Sequence, residues 1–369
     1  MGQRILWLTE TYPPQRGGMA QSCDRLVAGL RSRGHTVDVL HFTPRKGTPA
    51  PVQQHQGDYW ALPFEDSEAH TLNLAWTRIK SWQTWDAVVA FGGNLPIWGG
   101  PVFARWLGKP LLSCLRGNDF DTGLFTPRKR EMLEIALKSS AAVAAVSSEK
   151  AWKAQQLFPE IRVEFLANGI DLNDWQPTPS ETEYAQQWRA EHAPGKSVLG
   201  MVGQLKAKKG LAFFLETLRQ IPVQDRMHLL LVGELPEEEQ NLLSEVAVSY
   251  THLPFLDRFE LLKYYPCCDG VCIPSYYDGM PNVLLEAGAL GIPVLASDVD
   301  GMHDVLHDVT PHLLFPVGDA HGLRKVLFDW LQADTATRQG WGQDLKTHIE
   351  QNYTVAHELD AYENLLASL

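Results

Sequence analysis

The densest chemistry in the chain lies at 274–297, where Pro-Ser-Tyr-Tyr-Asp-Gly-Met-Pro-Asn-Val-Leu-Leu-Glu runs on into Ala-Gly-Ala-Leu-Gly-Ile-Pro-Val-Leu-Ala-Ser. An apolar strand enters a glycine-containing loop and then a helix. Pro281 suits the first helical position, where a missing N–H costs nothing. Asp278 and Glu286 stand eight residues apart on this loop–helix unit. Loop amides can hold phosphate and sugar oxygens, and each carboxylate can grip a vicinal diol through paired hydrogen bonds. A carboxylate flanked by Leu284, Leu285 and Ala287 is costly as mere structure, so both acids are expected to have partners.

Two further turns offer phosphate chemistry. Residues 202–211, Val-Gly-Gln-Leu-Lys-Ala-Lys-Lys-Gly-Leu, follow a strand, open a helix and carry Lys206, Lys208 and Lys209. Lysines beside helix-terminal amides clamp a diphosphate and neutralise it as it leaves. The plainer reading is a solvated basic turn. Near the start, Pro-Pro-Gln-Arg-Gly-Gly-Met at 13–19 leads into a helix, and Gly17 and Gly18 let the backbone approach a ligand closely. On its own that signal is weak, because glycine pairs also occur in strand–helix turns that bind nothing.

The elements that must position these turns alternate short apolar runs with longer amphipathic ones, the pattern of parallel sheets with crossover helices. Strands are expected at 4–8, 36–41, 87–90, 111–115, 142–146 and 163–166, and again at 197–202, 227–232, 270–273, 294–296 and 312–315. Helices fit between them, such as 21–33 and 127–139. The polar, proline-bearing stretch 173–196 reads as an interdomain connection with a little helix inside it. The end, 336–369, reads as helical throughout, with Tyr353, Leu359, Tyr362 and Leu366 buried.

At 369 residues, 44% apolar and 21% charged, the chain has the composition of an ordinary globular protein of two or three domains. The net charge of −12 is uneven: residues 1–170 hold 19 Lys and Arg against 15 Asp and Glu, and residues 171–369 hold 13 against 29. Nucleic acid is therefore not an expected partner. The densest basic spot, Arg128-Lys129-Arg130, is either a solvated helix start or a contact for an acidic acceptor or anionic lipid. Cys23, Cys114, Cys267, Cys268 and Cys272 are odd in number and lack ligand-spaced partners, so neither a disulfide framework nor a metal centre is expected. The N-terminal apolar run is too short for a signal peptide, and no run of about 18 apolar residues exists to span a membrane. The expected location is the cytoplasm, with the inner face of the membrane left open.

Taken in order, these residues resemble retaining glycosyltransferases of family 4. The family signature E-x7-E followed by A-x-(A/C)-x-G-x-P-V reads here Asp278-x7-Glu286, then Ala287 to Val294 with Gly291 and Pro293 in place. Further matches are Asn168-Gly169-Ile170-Asp171, Gly203-x-Leu205 to Lys209-Gly210, Val232-Gly233-Glu234, Asp269 to Pro274-Ser275, and Asp300-Gly301-Met302-His303-Asp304. The resemblance implies an α/β chain of GT-B fold, two Rossmann-like doubly wound parallel-sheet domains facing a central cleft. Residues 1–170 would bind the acceptor, helped by a C-terminal helix at about 350–369 that crosses back. Residues 171–349 would bind the nucleotide sugar.

The same resemblance assigns roles. Glu286 would take the ribose hydroxyls. Asp278 and the segment Gly279, Met280, Pro281, Asn282 and Val283 would hold the sugar and β-phosphate, with Gln204, Lys206, Gly233 and Glu234 around them. Lys209 would neutralise the diphosphate, Leu256 and its neighbours would pack the base, and Gly17 and Gly18 would close over the diphosphate. Three departures bear on donor choice: Asp278 stands for the usual first Glu, Gln204 for a usual Arg, and Arg116 for a frequent His. Arg116 could suit a phosphate or an anionic sugar, and Asn118 and Asp119 are candidates to touch sugar or acceptor.

The implied reaction moves a hexose from a UDP- or GDP-type sugar to a hydroxyl acceptor with retention. It would use no metal or other cofactor, and the leaving phosphate would take the acceptor proton. The acceptor is unnamed; anionic and lipid-linked ones stay open. The strings Asp119-Phe120-Asp121 and Asp298-Val299-Asp300 are read as accidental rather than as a metal motif. Two rivals remain: a nucleotide-sugar-binding protein of this fold without transferase activity, to which Gln204 gives some footing, and a nucleotide-sugar epimerase. A dinucleotide oxidoreductase is disfavoured, since neither half carries G-x-G-x-x-G with an acid about 20 residues on.

Overall fold

The computed structural model describes residues 2–48, 50–64, 67–222 and 225–369. The chain divides into two compact units, Met1–Asn168 with Val355–Leu369, and Gly169–Thr354.

In the first unit the described strands are β1 (Arg4–Thr9), β2 (Thr36–Thr43), β3 (Val52–Gln54), β4 (Gly57–Pro63), β5 (Ala87–Phe91), β6 (Leu111–Leu115), β7 (Ala142–Ala145) and β8 (Val163–Phe165). They form one sheet in the order β3-β4-β2-β1-β5-β6-β7-β8, parallel except for the β3–β4 hairpin. The central strands are buried on both faces, as continuous apolar runs such as Ala-Val-Val-Ala-Phe require. The sequence reading missed β3 and β4. β3 is exposed throughout and β4 is only half-buried, so neither shows a clean apolar alternation.

In the second unit the described strands are β9 (Ser197–Val202), β10 (Met227–Val232), β11 (Ser249–Leu253), β12 (Gly270–Ile273), β13 (Val294–Ser297) and β14 (Leu314–Phe315), in the all-parallel order β11-β10-β9-β12-β13-β14. This is a doubly wound Rossmann order whose direction of growth reverses between β9 and β12. β11 was also missed, because Ser-Tyr-Thr-His-Leu is a half-exposed edge. The run expected at 312–315 pairs only through Leu314–Phe315, after a 3₁₀ turn at Pro311–Leu313.

Two other expectations change. The stretch 173–196 lies wholly in the second unit and is no free linker. Thr178 and Glu181 form a capping box that starts a 14-residue helix, Pro179–His192, whose Ala185 and Trp188 are buried. The C-terminal segment is two helices, Thr335–Asn352 and Val355–Ala367, broken at Tyr353–Thr354. Four residues read as buried there are so: Tyr353, Leu359, Tyr362 and Leu366.

The helix Val355–Ala367 belongs to the first unit, where it packs on helix Gly18–Ser32. Leu359, Tyr362, Leu365 and Leu366 join the core made by Ile5, Trp7 and Leu26. Gly29 makes the approach possible: a Cβ there would lie 2.6 Å from Leu359 Cδ1. Arg25 grips buried Glu358 with two hydrogen bonds, at 2.7 and 3.1 Å. Leu359→Ala should cost about 2–4 kcal/mol by the usual penalty for truncating a buried leucine. Thermal unfolding of the variant, with amide exchange read along 18–32, checks this; an unchanged midpoint would contradict the packing.

Candidate functional site

Loops that leave the C-terminal ends of adjacent strands, at the point where strand order reverses, are where open α/β sheets hold ligands. In the second unit these are the turn after β9 and the loop after β12. Backbone contacts tie them together. Gly210 has φ 72°, and a Cβ on it would sit 1.9 Å from the carbonyl oxygen of Pro274. The Tyr276 amide donates to Lys208 O at 2.9 Å. Gly233, at φ 141° after β10, faces Gly203 O with the same 1.9 Å clearance for a Cβ. No larger residue fits at either place without moving a backbone.

This frame brings the expected charges together. Lys209 donates to Asp278 Oδ2, and Lys208 Nζ lies 4.0 Å from Oδ1 and 5.4 Å from the Tyr277 ring centroid. Burial raises the Asp278 pKa, but Lys209 and Lys208 outweigh it and hold the carboxyl below the usual aspartate range. Asp278 also accepts from the Gly279 amide at 3.0 Å. Met280 and Pro281 are buried, and the helix runs Asn282–Ala289. Pro281 is therefore the N-cap in extended backbone, one residue before the helical position expected for it. Val283 faces Gly203, its Cγ2 3.7 Å from where a Cβ would lie. Gln204 and Lys206 are exposed, and their carbonyls accept from the Lys206 and Lys209 amides at 2.8 and 2.7 Å. Glu234 is exposed just beyond β10, and Leu256 is half-buried just beyond β11.

Glu286 is 6% exposed, and Tyr265 O–H donates to its Oε2 at 2.6 Å. Burial, then the Glu286 charge, push the Tyr265 phenol well above its ordinary pKa, which keeps it a donor. Tyr265 carried no motif and was not singled out. Asp300 was quoted only as part of a motif, yet it takes a left-handed conformation at φ 45° and accepts from the Asp278 amide at 3.3 Å. The next amide, Gly301, donates to Gly279 O at 2.7 Å. Together they brace the loop from behind. Asp298 pairs instead with His303 at 2.7 Å, and Asp121 with buried Lys150 at 2.9 Å, so the two D-x-D strings serve separate local contacts.

The first unit has its own loops at the matching edge. Gly17, at φ 120°, is the N-cap of the helix that begins at Gly18, three residues earlier than expected. Arg116 is buried, with its guanidinium 4.8 Å from the Phe91 ring centroid, donating to Tyr362 O–H at 3.3 Å and to Asn168 Oδ1. Burial works against its charge, while Tyr362 and Glu358 favour it. Asn118 is exposed. The Asp119 carboxylate turns back on its own loop, accepting from the amides of Arg116 at 2.9 Å and Gly117 at 2.6 Å. Glu10, unmarked in the sequence, accepts from the amides of Asn94 and Leu95 at 3.0 and 2.6 Å. Burial raises its pKa against those two donors.

Comparison with known proteins agrees with this architecture. Residues 16–174 match a family model described as Glycosyltransferase Family 4, and residues 196–332 match one described as Glycosyl transferases group 1. The chain is 27% identical to the putative teichuronic acid biosynthesis glycosyltransferase TuaC of Bacillus subtilis, over 99% of this chain and 96% of that one. Among solved structures, the sucrose-phosphate synthase of Thermosynechococcus elongatus superposes with a TM-score of 0.84 at 19% identity, covering all of both chains. HepE of Anabaena in complex with UDP-glucose gives 0.80 at 18%, also over both whole chains.

Two doubly wound parallel-sheet units with loops gathered at their switch points define a GT-B protein. The chain belongs to the family 4 glycosyltransferases, which makes it a glycosyltransferase that uses nucleotide sugars.

The Lys209–Asp278 pair has a pH consequence. A depressed carboxyl pKa contributes stability that is present above the unfolded value of about 3.9 and lost as pH falls through the folded value. Lys209→Met removes the main lowering influence and leaves burial opposed only by Lys208 and the Gly279 amide, so the Asp278 pKa should rise and the part of the acid-side stability loss due to this carboxyl should shrink. Carboxyl-carbon NMR titration and acid unfolding of the two proteins check this. An unmoved Asp278 titration would mean the pair does not govern it.

Proposed function

We propose that the chain transfers a hexose from a UDP- or GDP-linked donor to a hydroxyl acceptor with retention at the anomeric carbon, using neither a metal nor another cofactor. The observation that best supports this is the placing of Lys209 and Lys208 against Asp278 on the loop that leads into the Glu286 helix. Cation, loop backbone and two carboxylates then share one wall, as a diphosphate flanked by two polyols would demand. The UDP-glucose held by the structurally similar HepE is consistent with a donor of that class.

In this reading the diphosphate displaces Asp278 from Lys209, and Asp278 turns to the hydroxyls of the sugar. Glu286, oriented by Tyr265, takes the ribose hydroxyls, and residues near Leu256 pack the base. The bond from C1 to the β-phosphate oxygen breaks and its electron pair stays on the phosphate, whose charge Lys209 neutralises. The acceptor oxygen bonds C1 on the face being vacated, and its proton passes to the departing phosphate oxygen. Stereochemistry is kept without a protein nucleophile. The work of the protein is electrostatic stabilisation and orientation.

The first unit supplies the acceptor-binding loops in this proposal, with Arg116 as a fixed cation for phosphate or an anionic group and Asn118, Asp119 and Glu10 beside it, while Gly17 and Gly18 at one helix start are kept for the diphosphate of the donor. An anionic or lipid-linked acceptor is supported by the basic start of helix Pro127–Ser139, where Arg128 lies 5.1 Å from the Trp98 ring centroid and Phe125 is 87% exposed. We place the enzyme in the cytoplasm, in contact with the inner face of the membrane.

Lys209→Ala should lower turnover by roughly 10²–10³, the usual cost of one oxyanion-type donor. A rate equal to that of the parent would remove Lys209 from the mechanism. The donor is found by testing UDP- and GDP-hexoses in turn, and excess EDTA should leave the rate unchanged. Proton NMR of the product should show the anomeric configuration of the donor; the opposite configuration would rule out this mechanism. Glu286→Gln should raise the donor KM about tenfold while changing kcat little, because the ribose is held alike in ground and transition states.

A further inference from the structure

A glutamate side chain ends in a soft torsion. Its carboxylate plane turns about the last bond over a broad, roughly two-fold range, so by itself it meets one hydroxyl as readily as two. Glu286 is not left so free. It lies buried on helix Asn282–Ala289, and its Oε2 accepts from the Tyr265 O–H at 2.6 Å. Burial and the Glu286 charge keep that phenol protonated, so Tyr265 can only donate to the carboxylate. A bond from a fixed donor to one carboxylate oxygen sets the plane of both.

Tyr265 is such a fixed donor. It is 1% exposed and opens the 3₁₀ turn Tyr265–Cys267, whose closure brings the Cys268 amide to the Tyr265 carbonyl at 2.9 Å. The Trp175 ring meets the Tyr265 ring edge-on, with centroids 5.6 Å apart. Arg189, from helix Pro179–His192, donates to the Cys267 carbonyl at 2.6 Å and to Asp269 at 2.9 Å, which ties the turn to the start of β12. The phenol therefore cannot follow Glu286 if the carboxylate turns; the carboxylate conforms to the phenol. The polar stretch 173–196, with the composition of a linker, supplies two of these supports, Trp175 and Arg189.

Resting on the reading that Glu286 takes the ribose hydroxyls, we propose that Tyr265 is the residue that makes the donor site select ribonucleotides over 2′-deoxyribonucleotides. It acts through Glu286 and is a positioning residue. With the plane preset, the carboxylate oxygens meet the 2′- and 3′-hydroxyls together. A nucleotide without the 2′-hydroxyl leaves a buried carboxylate oxygen short of the donor it was placed to receive, and a site built for a hydroxyl rejects the analogue that lacks it. Without the phenol the carboxylate can turn to the 3′-hydroxyl alone, and the penalty for the missing group shrinks.

The test uses the full chain, with UDP, GDP and their 2′-deoxy counterparts as probes and calorimetric titration as the readout. The parent should bind the preferred ribonucleotide about tenfold or more tightly than its deoxy counterpart, the effect of one unmet hydrogen bond to a buried charge. In Tyr265→Phe that ratio should fall at least about threefold, as expected when part of one such bond is recovered. A role in folding alone would weaken both nucleotides alike and leave the ratio standing. An undiminished ratio in the variant, or a parent that does not discriminate, would overturn the proposal and leave the donor reading intact. Binding of neither UDP nor GDP would overturn both. Should Tyr265→Phe not fold, the parent carrying 3-fluorotyrosine at position 265 decides. Its fluorine resonance should move further with the ribonucleotide than with the deoxy form at saturation, and equal movement would sink the idea.

Discussion

The ion pair between Lys209 and Asp278 spans the switch point of the second sheet, and most of what the donor side can do follows from it. A buried carboxylate would ordinarily be protonated or paired, and here the partner comes from the neighbouring loop. The pair is possible only because two backbones touch, with Gly210 against the Pro274 carbonyl. Remove that closeness and the lysine cluster becomes the solvated basic turn that its sequence equally allows. The glycine and the charge are thus one device, with the first setting the distance at which the second works.

Support for the carboxylates is layered. Asp278 is held in front by lysines and behind by Asp300 and Gly301, which bond the loop backbone at Asp278 and Gly279. Glu286 is held from the side by Tyr265, whose ring in turn meets Trp175 edge-on at 5.6 Å. Such outer contacts fix the angles at which the carboxylates can meet a diol. The first unit treats Arg116 in the same way. The Phe91 face, Asn168 and the Tyr362 hydroxyl surround it, and Tyr362 comes from a helix some 246 residues away in sequence. A cation kept charged in a buried place needs neutral and aromatic partners of this kind.

Much of this was legible before any coordinates. The parallel strands of both cores are continuous apolar runs, and each was found within a residue or two, apart from β14, where only the last two residues of the expected run pair. The order of Asp278, Glu286, Gly291 and Pro293 announced the loop–helix unit. What stayed hidden were the edge strands β3 and β11 and β4 beside β3, whose exposed or half-exposed residues show no strong period. Helix starts slipped by one to three residues, at Gly18 and at Asn282, because caps depend on backbone geometry more than on residue type.

The sequence by itself determined which residues could do chemistry, since charge, reach and backbone freedom belong to residue type, and it determined the family through their order. Tertiary structure alone decided which of them have partners. Tyr265 with Glu286, Asp300 with Asp278, and Arg116 with Tyr362 are 21, 22 and 246 residues apart, and no local pattern encodes such meetings. The same holds for Asp119, whose carboxylate meets the amides of Arg116 and Gly117 on its own loop. A side chain announces what it can bind; only the packed chain settles what already holds it.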